Sequence, residues 1–148
     1  MMDTSKEYIL MCEKAKKLQI MWKPVLTDII FDKMTSHVEI LGLLEDAHRR
    51  YYQFWEGINQ NDISIFSNYI WLPRQGQLQD MIGSYKEAFN LFCHYGWRIS
   101  EGYDTYCGKP DRDLQNTYIE QFTSMEQLWL AFVMKEKYKK KWNGKDWK

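Results

Sequence analysis

The sequence is short of cysteine, has no long apolar run and carries no net charge. Its three cysteines are widely spaced and form no C-x-x-C pair, so we expect free thiols in a reducing compartment. No stretch approaches the ~18 apolar residues of a membrane span. The first residues also lack the apolar core of a signal peptide, so we expect a cytoplasmic protein without membrane contact. The 20 Lys and Arg balance the 20 Asp and Glu, which argues against a wholly basic nucleic-acid binder.

Motifs for catalysis and for phosphate binding are also missing. None of His37, His48 and His94 lies in H-E-x-x-H or belongs to a G-x-S-x-G pattern, and the chain has neither a P-loop nor G-x-G-x-x-G. A metal site built from Cys93, His94 and Cys107 would lack paired ligand spacing, and the acidic residues do not follow the EF-hand pattern. We therefore expect no metal, no cofactor and no enzymatic activity. A small enzyme or a ligand-sequestering protein stays open as an alternative.

Helical spacing of apolar residues is found in three main parts of the chain. It predicts helices over residues 8–22, 84–95 and 123–140, with Gly96 ending the second, and a shorter helix after Pro73. Each main helix is preceded by a capping-box pair, in which a hydroxyl side chain and a glutamate three residues later satisfy the first backbone N–H groups. These pairs are Thr4 and Glu7, Ser84 and Glu87, and Thr123 and Glu126.

Short β-type segments occupy the region between the first and second predicted helices. Residues 28–32 and 37–44 flank a polar turn and predict a β-hairpin. Residues 51–55 are a candidate third strand, and residues 63–66 and 69–72 could supply a fourth. Successive short strands joined by polar turns favour an antiparallel meander. We predict an α+β fold in a single domain of residues 1–148. In it, a small antiparallel sheet of three or four strands packs against the N-terminal, central and C-terminal helices.

Aromatic residues are the class in surplus, since seven Trp, ten Tyr and seven Phe make up 16% of the chain. Trp22, Trp71 and Trp129 lie within apolar patterns and are predicted to be core. Other aromatic residues lie near predicted loops together with acidic residues, a combination typical of protein interfaces, although packing explains any one of them equally well. The predicted partner-binding residues are Trp55, Glu56, Asp62, Trp97, Tyr103, Asp104 and Tyr106.

The C-terminal tail, at about residues 139–148, interleaves lysine with tryptophan. Residues 135–148 hold seven lysines against Glu136 and Asp146, a side-chain charge of +5. Such a tail can hold a nucleic-acid backbone and stack on bases. It fits equally a solvated helix end whose tryptophans fold back onto the core. The candidate nucleic-acid-binding residues are Lys139, Lys140, Lys141, Trp142, Lys145 and Trp147.

Three blocks of sequence resemble a known group of proteins. They are Trp22-Lys23-Pro24, the segment YIWLPRQGQLQDM of residues 69–81, and the segment QLWLAFVMKE of residues 127–136 with the following Trp142-Asn143-Gly144. Together they resemble small uncharacterised proteins of phages and prophages of Gram-positive bacteria. The Gly-Asp that usually follows W-x-P in that group is Thr27-Asp28 here. The resemblance implies a phage-encoded accessory protein and carries no activity with it.

Two functional hypotheses follow from these observations. The first is a non-enzymatic phage accessory protein that binds a host protein stoichiometrically, with inhibition of a CRISPR or other host immune complex as its specific form. The alternative is a nucleic-acid-binding accessory protein that uses the basic aromatic tail. The oligomeric state, the strand order and the role of loop 98–116 stay open.

Overall fold

The protein is an α+β protein, as the sequence predicts. The computed structural model describes residues 2–25, 27–41, 68–100, 118 and 120–148, and for residues 85 and 94–100 it describes the backbone alone. Within these ranges the chain forms five helices and a three-stranded antiparallel sheet. It divides into two compact units, which we call the sheet unit (Thr4–Pro73) and the helical unit (Met1–Asp3 with Arg74–Lys148). The strand candidates at residues 51–55 and 63–66 lie outside the described residues.

The sheet unit begins with two short helices, α1 (Lys6–Lys14) and α2 (Lys16–Met21). The prediction of one continuous helix is wrong, because the chain leaves helical geometry at Ala15, where ψ is 57°. Helix α1 starts from Ser5, one residue after the predicted cap, and the Ser5 hydroxyl accepts a hydrogen bond from the backbone N–H of Tyr8 (3.2 Å). The predicted apolar stripe is buried at Tyr8, Met11, Cys12, Ala15 and Leu18, whereas its last residue, Trp22, is half-buried.

The sheet has the order β2-β1-β3, with β1 at Ile29–Asp32, β2 at His37–Ile40 and β3 at Tyr69–Trp71. Strands β1 and β2 form the predicted hairpin, in which Ile29 pairs with Ile40. Before β1, the Thr27 N–H donates to the Leu41 carbonyl and the Leu41 N–H donates to the Asp28 carbonyl. Two residues therefore oppose one, which is a β-bulge, and Thr27 occupies its first position with φ of 75°.

The helical unit contains α3 (Gln75–Asp80), α4 (Tyr85–Ser100) and α5 (Met125–Tyr138). Helix α3 packs against both α4 and α5. The Ser84–Glu87 cap is confirmed, since each residue's backbone N–H donates to the other's side chain (3.3 and 3.4 Å). The predicted end at Gly96 is wrong, because α4 continues to Ser100.

Helix α5 is the buried centre of the helical unit. It starts from Ser124 rather than Thr123, and the Ser124 hydroxyl accepts from the backbone N–H of Gln127 (3.1 Å). The side chains of residues 129–134 are all buried, and Trp129 stacks on Phe92 of α4 with ring centroids 4.0 Å apart. Across the described ranges, no helix has both the length and the apolar character needed to cross a membrane.

Candidate functional site

Most predicted partner-binding residues lie outside the part of the chain that the structure describes: Trp55, Glu56, Asp62, Tyr103, Asp104 and Tyr106. The backbone of Trp97 lies in α4, and its side chain is outside the description. An aromatic interface at these seven positions therefore stays a prediction.

The C-terminal tail folds into a small β-hairpin. Lys141 and Lys148 exchange two backbone hydrogen bonds (2.7 and 3.0 Å), and Trp142 pairs with Trp147 one step closer to the turn. The two indole rings are 5.0 Å apart between centroids and tilted by 52°. A pair of this kind has no hydrogen bond between its backbones, so the side chains come closest there.

The turn of this hairpin follows from the residues Asn143-Gly144-Lys145-Asp146. The Asn143 Oδ1 accepts hydrogen bonds from the backbone N–H groups of Lys145 (3.0 Å) and Asp146 (2.8 Å). Gly144 has φ of 89°, a conformation that residues with a side chain rarely adopt. Short turns between paired strands favour Asn-Gly for this reason.

Side chains hold the hairpin onto the helical unit. The Trp142 backbone N–H points away from its partner strand and donates to the Tyr118 hydroxyl (3.1 Å). The Lys140 Nζ donates to the Trp147 carbonyl (2.9 Å) and the Lys140 N–H to the Met134 carbonyl (3.1 Å). The hairpin is thus a folded element and not a free extension of α5.

In the C-terminal hairpin, the tryptophans of the candidate nucleic-acid site are buried and most of its lysines are exposed. Trp142 and Trp147 are buried, so neither ring has a free face for a base while the hairpin is closed. Lys139, Lys141 and Lys145 are exposed. Lys140 is half-buried and, like Lys139, uses its Nζ in a bond to a carbonyl.

A second surface combines exposed apolar and basic side chains in the sheet unit. Ile20, Met21 and Val25 are 74%, 62% and 51% exposed, and Lys16 and Lys23 nearby are also exposed. We call these five residues the 16–25 patch. Large apolar side chains at this exposure are unusual when three occur within six residues, because apolar surface is normally removed from water.

Hydrogen bonds to the Asp28 carboxylate fix the position of the segment that carries the patch. The Trp22 indole Nε1 and the Val25 backbone N–H both donate to the Asp28 carboxylate, at 2.8 and 3.0 Å from Oδ2. Asp28 is buried, and the Trp22 ring stacks parallel to Trp71 with 6.0 Å between centroids. This arrangement ties the segment after α2 to β3.

Gln19 adds a second connection between α2 and β3. Its side-chain amide bonds both backbone groups of Trp71, accepting from the N–H (2.9 Å) and donating to the carbonyl (3.0 Å). The same Nε2 donates to the Cys12 carbonyl (3.1 Å). With Leu18 and Gln19 turned toward the core and β3, Ile20 and Met21 are left on the outside of α2.

Sequence reasoning missed the 16–25 patch as a candidate site. A signal was present, since Ile20 and Met21 fall outside the three- and four-residue spacing that joins Leu18 to Trp22. The exposure of Val25 had no such signal, because it depends on the Asp28 contacts.

The described residues offer little that would support metal or acid–base chemistry. Among them no three His, Cys, Asp or Glu side chains come together as metal ligands. One ion pair in this part of the chain joins Lys33 and Glu13 at 3.4 Å on the surface. Burial raises the pKa of Tyr138, which lies at the end of α5.

Comparisons with known proteins do not add an identity to this geometry. No protein-family description, no curated protein and no solved structure matches the chain. The resemblance to phage and prophage proteins therefore stays a prediction from the three sequence blocks.

Proposed function

We propose that this protein is a non-enzymatic binding protein that engages one host protein stoichiometrically through the 16–25 patch. The exposure of Ile20, Met21 and Val25 beside Lys16 and Lys23 is the observation that supports this most directly. An apolar centre with a charged surround is the usual composition of a protein interface. Because the patch itself is basic, the partner surface is expected to be apolar with acidic residues around it.

The cellular setting of the proposal comes from the sequence resemblance. A phage-encoded accessory protein would meet its partner in the cytoplasm of the infected cell. We propose inhibition of a CRISPR or other host immune complex as the specific role, because stoichiometric binding can block such a complex without catalysis.

Capture from host lysate with matched variants tests the binding proposal. We expect Ile20→Asp to lower capture of the partner about tenfold or more, a loss of ~1.4 kcal/mol. Lys23→Glu should weaken capture and reduce its salt dependence, since Lys16 remains as the other basic residue of the patch. Met34→Asp is the control, because Met34 is exposed at the β1–β2 turn and lies outside the patch. Native mass spectrometry of the captured complex should give a fixed ratio of the two chains. Equal capture by Ile20→Asp and by the unchanged protein would refute the assignment of the patch.

A plating assay tests the counter-defence role separately. Expression of the protein in a host with active CRISPR immunity should raise the plaque count of a targeted phage, and Ile20→Asp should not. Unchanged plating together with intact capture would reject the immune target and leave the binding proposal standing.

Nucleic-acid binding is a second candidate, favoured by the exposure of Lys141, Lys145 and Lys148 on the C-terminal hairpin. With both tryptophan rings buried, binding would depend on phosphate contacts alone and would fall steeply with salt. Lys141→Glu with Lys145→Glu should abolish it, whereas Lys16→Glu should not. Absent or salt-insensitive binding to DNA and RNA would eliminate this candidate.

A further inference from the structure

Within the described residues, the outer edge of β2 carries backbone groups that form no hydrogen bond with another strand. Strand β2 is an edge strand in the order β2-β1-β3, and its one partner in the described sheet is β1. The Leu41 N–H donates to the Asp28 carbonyl across this pair. Since every second residue of an antiparallel strand bonds the same neighbour, Leu41, Glu39 and His37 direct their backbone groups toward β1. The N–H and carbonyl groups of Val38 and Ile40 therefore point away from β1.

The same two residues expose apolar side chains. Val38 and Ile40 are 37% and 40% exposed, and they pair with the half-buried Phe31 and Ile29 of β1 on one face of the sheet. Edge strands in soluble proteins commonly carry an inward charge, a proline or a bulge that prevents pairing with another chain. Strand β2, His37-Val38-Glu39-Ile40, contains no proline. Its inward charge is Glu39, which is half-buried opposite the buried Ile30, so a partner strand would have to bring a complementary group to that face.

We propose that β2 pairs with β2 of a second copy of this chain, antiparallel and about a two-fold axis at Val38. The two Val38 residues would exchange both of their free backbone hydrogen bonds, extending the sheet to six strands across the dimer. This inference is independent of the proposed host partner, which uses the 16–25 patch.

Charge complementarity favours a second copy and selects this register. With Val38 opposite the other Val38, His37 of each copy lies opposite Glu39 of the other, on the same face of the sheet. An imidazole N–H donates to a carboxylate in either protonation state of the ring, and opposite-charge or hydrogen-bonded cross-strand pairs stabilise a sheet. The two-fold axis forms this favourable pair twice.

The neighbouring register is disfavoured by the same side chains. An axis at Glu39 would place the two Glu39 carboxylates directly opposite each other, and like charges in that position destabilise strand pairing. Pairing of two β2 strands is thus favoured with the two-fold axis at Val38, where His37 meets Glu39, and disfavoured with the axis at Glu39, where the two carboxylates meet.

Cysteine cross-linking tests the register directly. In the proposed dimer the two Val38 Cα atoms would be about 5.5 Å apart, as in hydrogen-bonded antiparallel pairs. This distance lies within the range of roughly 4.4–6.8 Å that a disulfide requires. The corresponding separations are about 8 Å at Glu39 and about 14 Å at Ile40, from the rise per residue and the strand spacing. Oxidised Val38→Cys should therefore run as a covalent dimer, whereas Glu39→Cys and Ile40→Cys should not. The unchanged chain, with its own cysteines, serves as the blank.

Sedimentation of uncross-linked protein gives a second, independent measurement. The unchanged chain should show a concentration-dependent monomer–dimer equilibrium. Val38→Lys should raise the dissociation constant about tenfold or more, with Met34→Lys as the exposed control and circular dichroism confirming that both variants fold. A monomer at every concentration, or a dimer that Val38→Lys leaves unchanged, would overturn the proposal. A cross-link at Glu39→Cys in place of Val38→Cys would overturn the register.

Discussion

The Gln19 side chain bonds the backbone of β3 at the edge that faces away from β1, in the way that a neighbouring strand would. Trp71 forms no backbone hydrogen bond with its opposite residue Ile30, because Leu72 donates to Ile29 and the bonded positions alternate. Both backbone groups of Trp71 therefore point to the outer edge, where the Gln19 amide bonds them. Replacing Gln19 by alanine removes these two bonds and the bond to the Cys12 carbonyl.

The expected cost of this substitution is about 2–3 kcal/mol. Each of the three hydrogen bonds contributes roughly 0.5–1.5 kcal/mol net. Because Gln19 is half-buried, water can bond some of the backbone groups that lose their partner, which places the cost below the sum of the upper values. The helix itself loses nothing, because alanine is the best helix former. The opening free energy at Trp71 should fall by the same amount, which corresponds to roughly 30- to 150-fold faster amide hydrogen exchange.

Gln19→Glu separates the donor from the acceptor. The carboxylate can still accept from the Trp71 N–H, but it faces the Trp71 and Cys12 carbonyls with no proton to donate. Protonation restores a donor in the folded state, so the folded chain binds this proton more tightly than the unfolded chain does. The stability deficit of Gln19→Glu relative to the unchanged protein should therefore shrink as the pH falls from 7 toward 4.

Hydrogen exchange at the Trp71 amide and denaturant unfolding of the sheet unit are the assays. Lys16→Ala, in the same helix and exposed, is the control and should change neither quantity. Unchanged protection of the Trp71 amide in Gln19→Ala would refute the reasoning, as would a Gln19→Glu deficit that grows on acidification.

Four further predictions concern single side chains. Thr27→Gly should stabilise the protein by about 0.5–1 kcal/mol in denaturant unfolding. The left-handed φ of 75° strains a β-branched residue, and the relief of this strain exceeds the entropy that the more flexible glycine loses on folding. Asp28→Ala should destabilise the protein by about 2–4 kcal/mol in the same assay, since the Trp22 indole N–H and the Val25 backbone N–H both lose their carboxylate acceptor. A loss below about 1 kcal/mol would contradict this. Trp147→Ala should expose Trp142 and shift its fluorescence to the red; an unchanged spectrum would mean that the hairpin is not formed. Desolvation raises the pKa of the Tyr138 hydroxyl in the folded protein. The free energy of unfolding should therefore stay constant with respect to this group below about pH 10 and fall above it, because the unfolded chain loses the proton first. Tyr138→Phe should reduce this decrease.

The hairpin of β1 and β2 was predictable from sequence because its determinants are local. Alternating apolar residues flank a polar turn, and pattern and turn chemistry agree there. The break at Ala15 was not predictable from spacing. It occurs where the Gln19 side chain takes the Cys12 carbonyl, a contact that depends on where β3 lies.

The helix ends show a similar division between local and tertiary causes. The hydroxyl residues at Thr4-Ser5 and Thr123-Ser124 are adjacent, so the sequence offers two caps and the structure uses the second in each case. Gly96 has the right chemistry for a helix end, yet α4 continues past it. A glycine inside a helix costs only about 0.5–1 kcal/mol relative to alanine, which packing can offset.

The candidate site was less predictable than the fold. Interleaved lysine and tryptophan in the tail has the same composition whether the rings are free or paired, and the pairing depends on the turn at Asn143-Gly144 and the Tyr118 hydroxyl. Exposure of Val25 depends likewise on a buried carboxylate three residues later. A binding surface consists of the side chains that such tertiary contacts leave exposed, so composition alone does not locate it.

The residues of the resemblance are used mainly for folding, and this bears on where function can lie. Trp22 and Trp71 stack on each other, and Asp28 holds the indole of Trp22. Thr27 has a positive φ, a backbone conformation that favours glycine. Side chains committed to such contacts cannot also meet a partner. Specificity for a partner is therefore expected in the exposed residues beside them, with Ile20 next to this framework as the first to test.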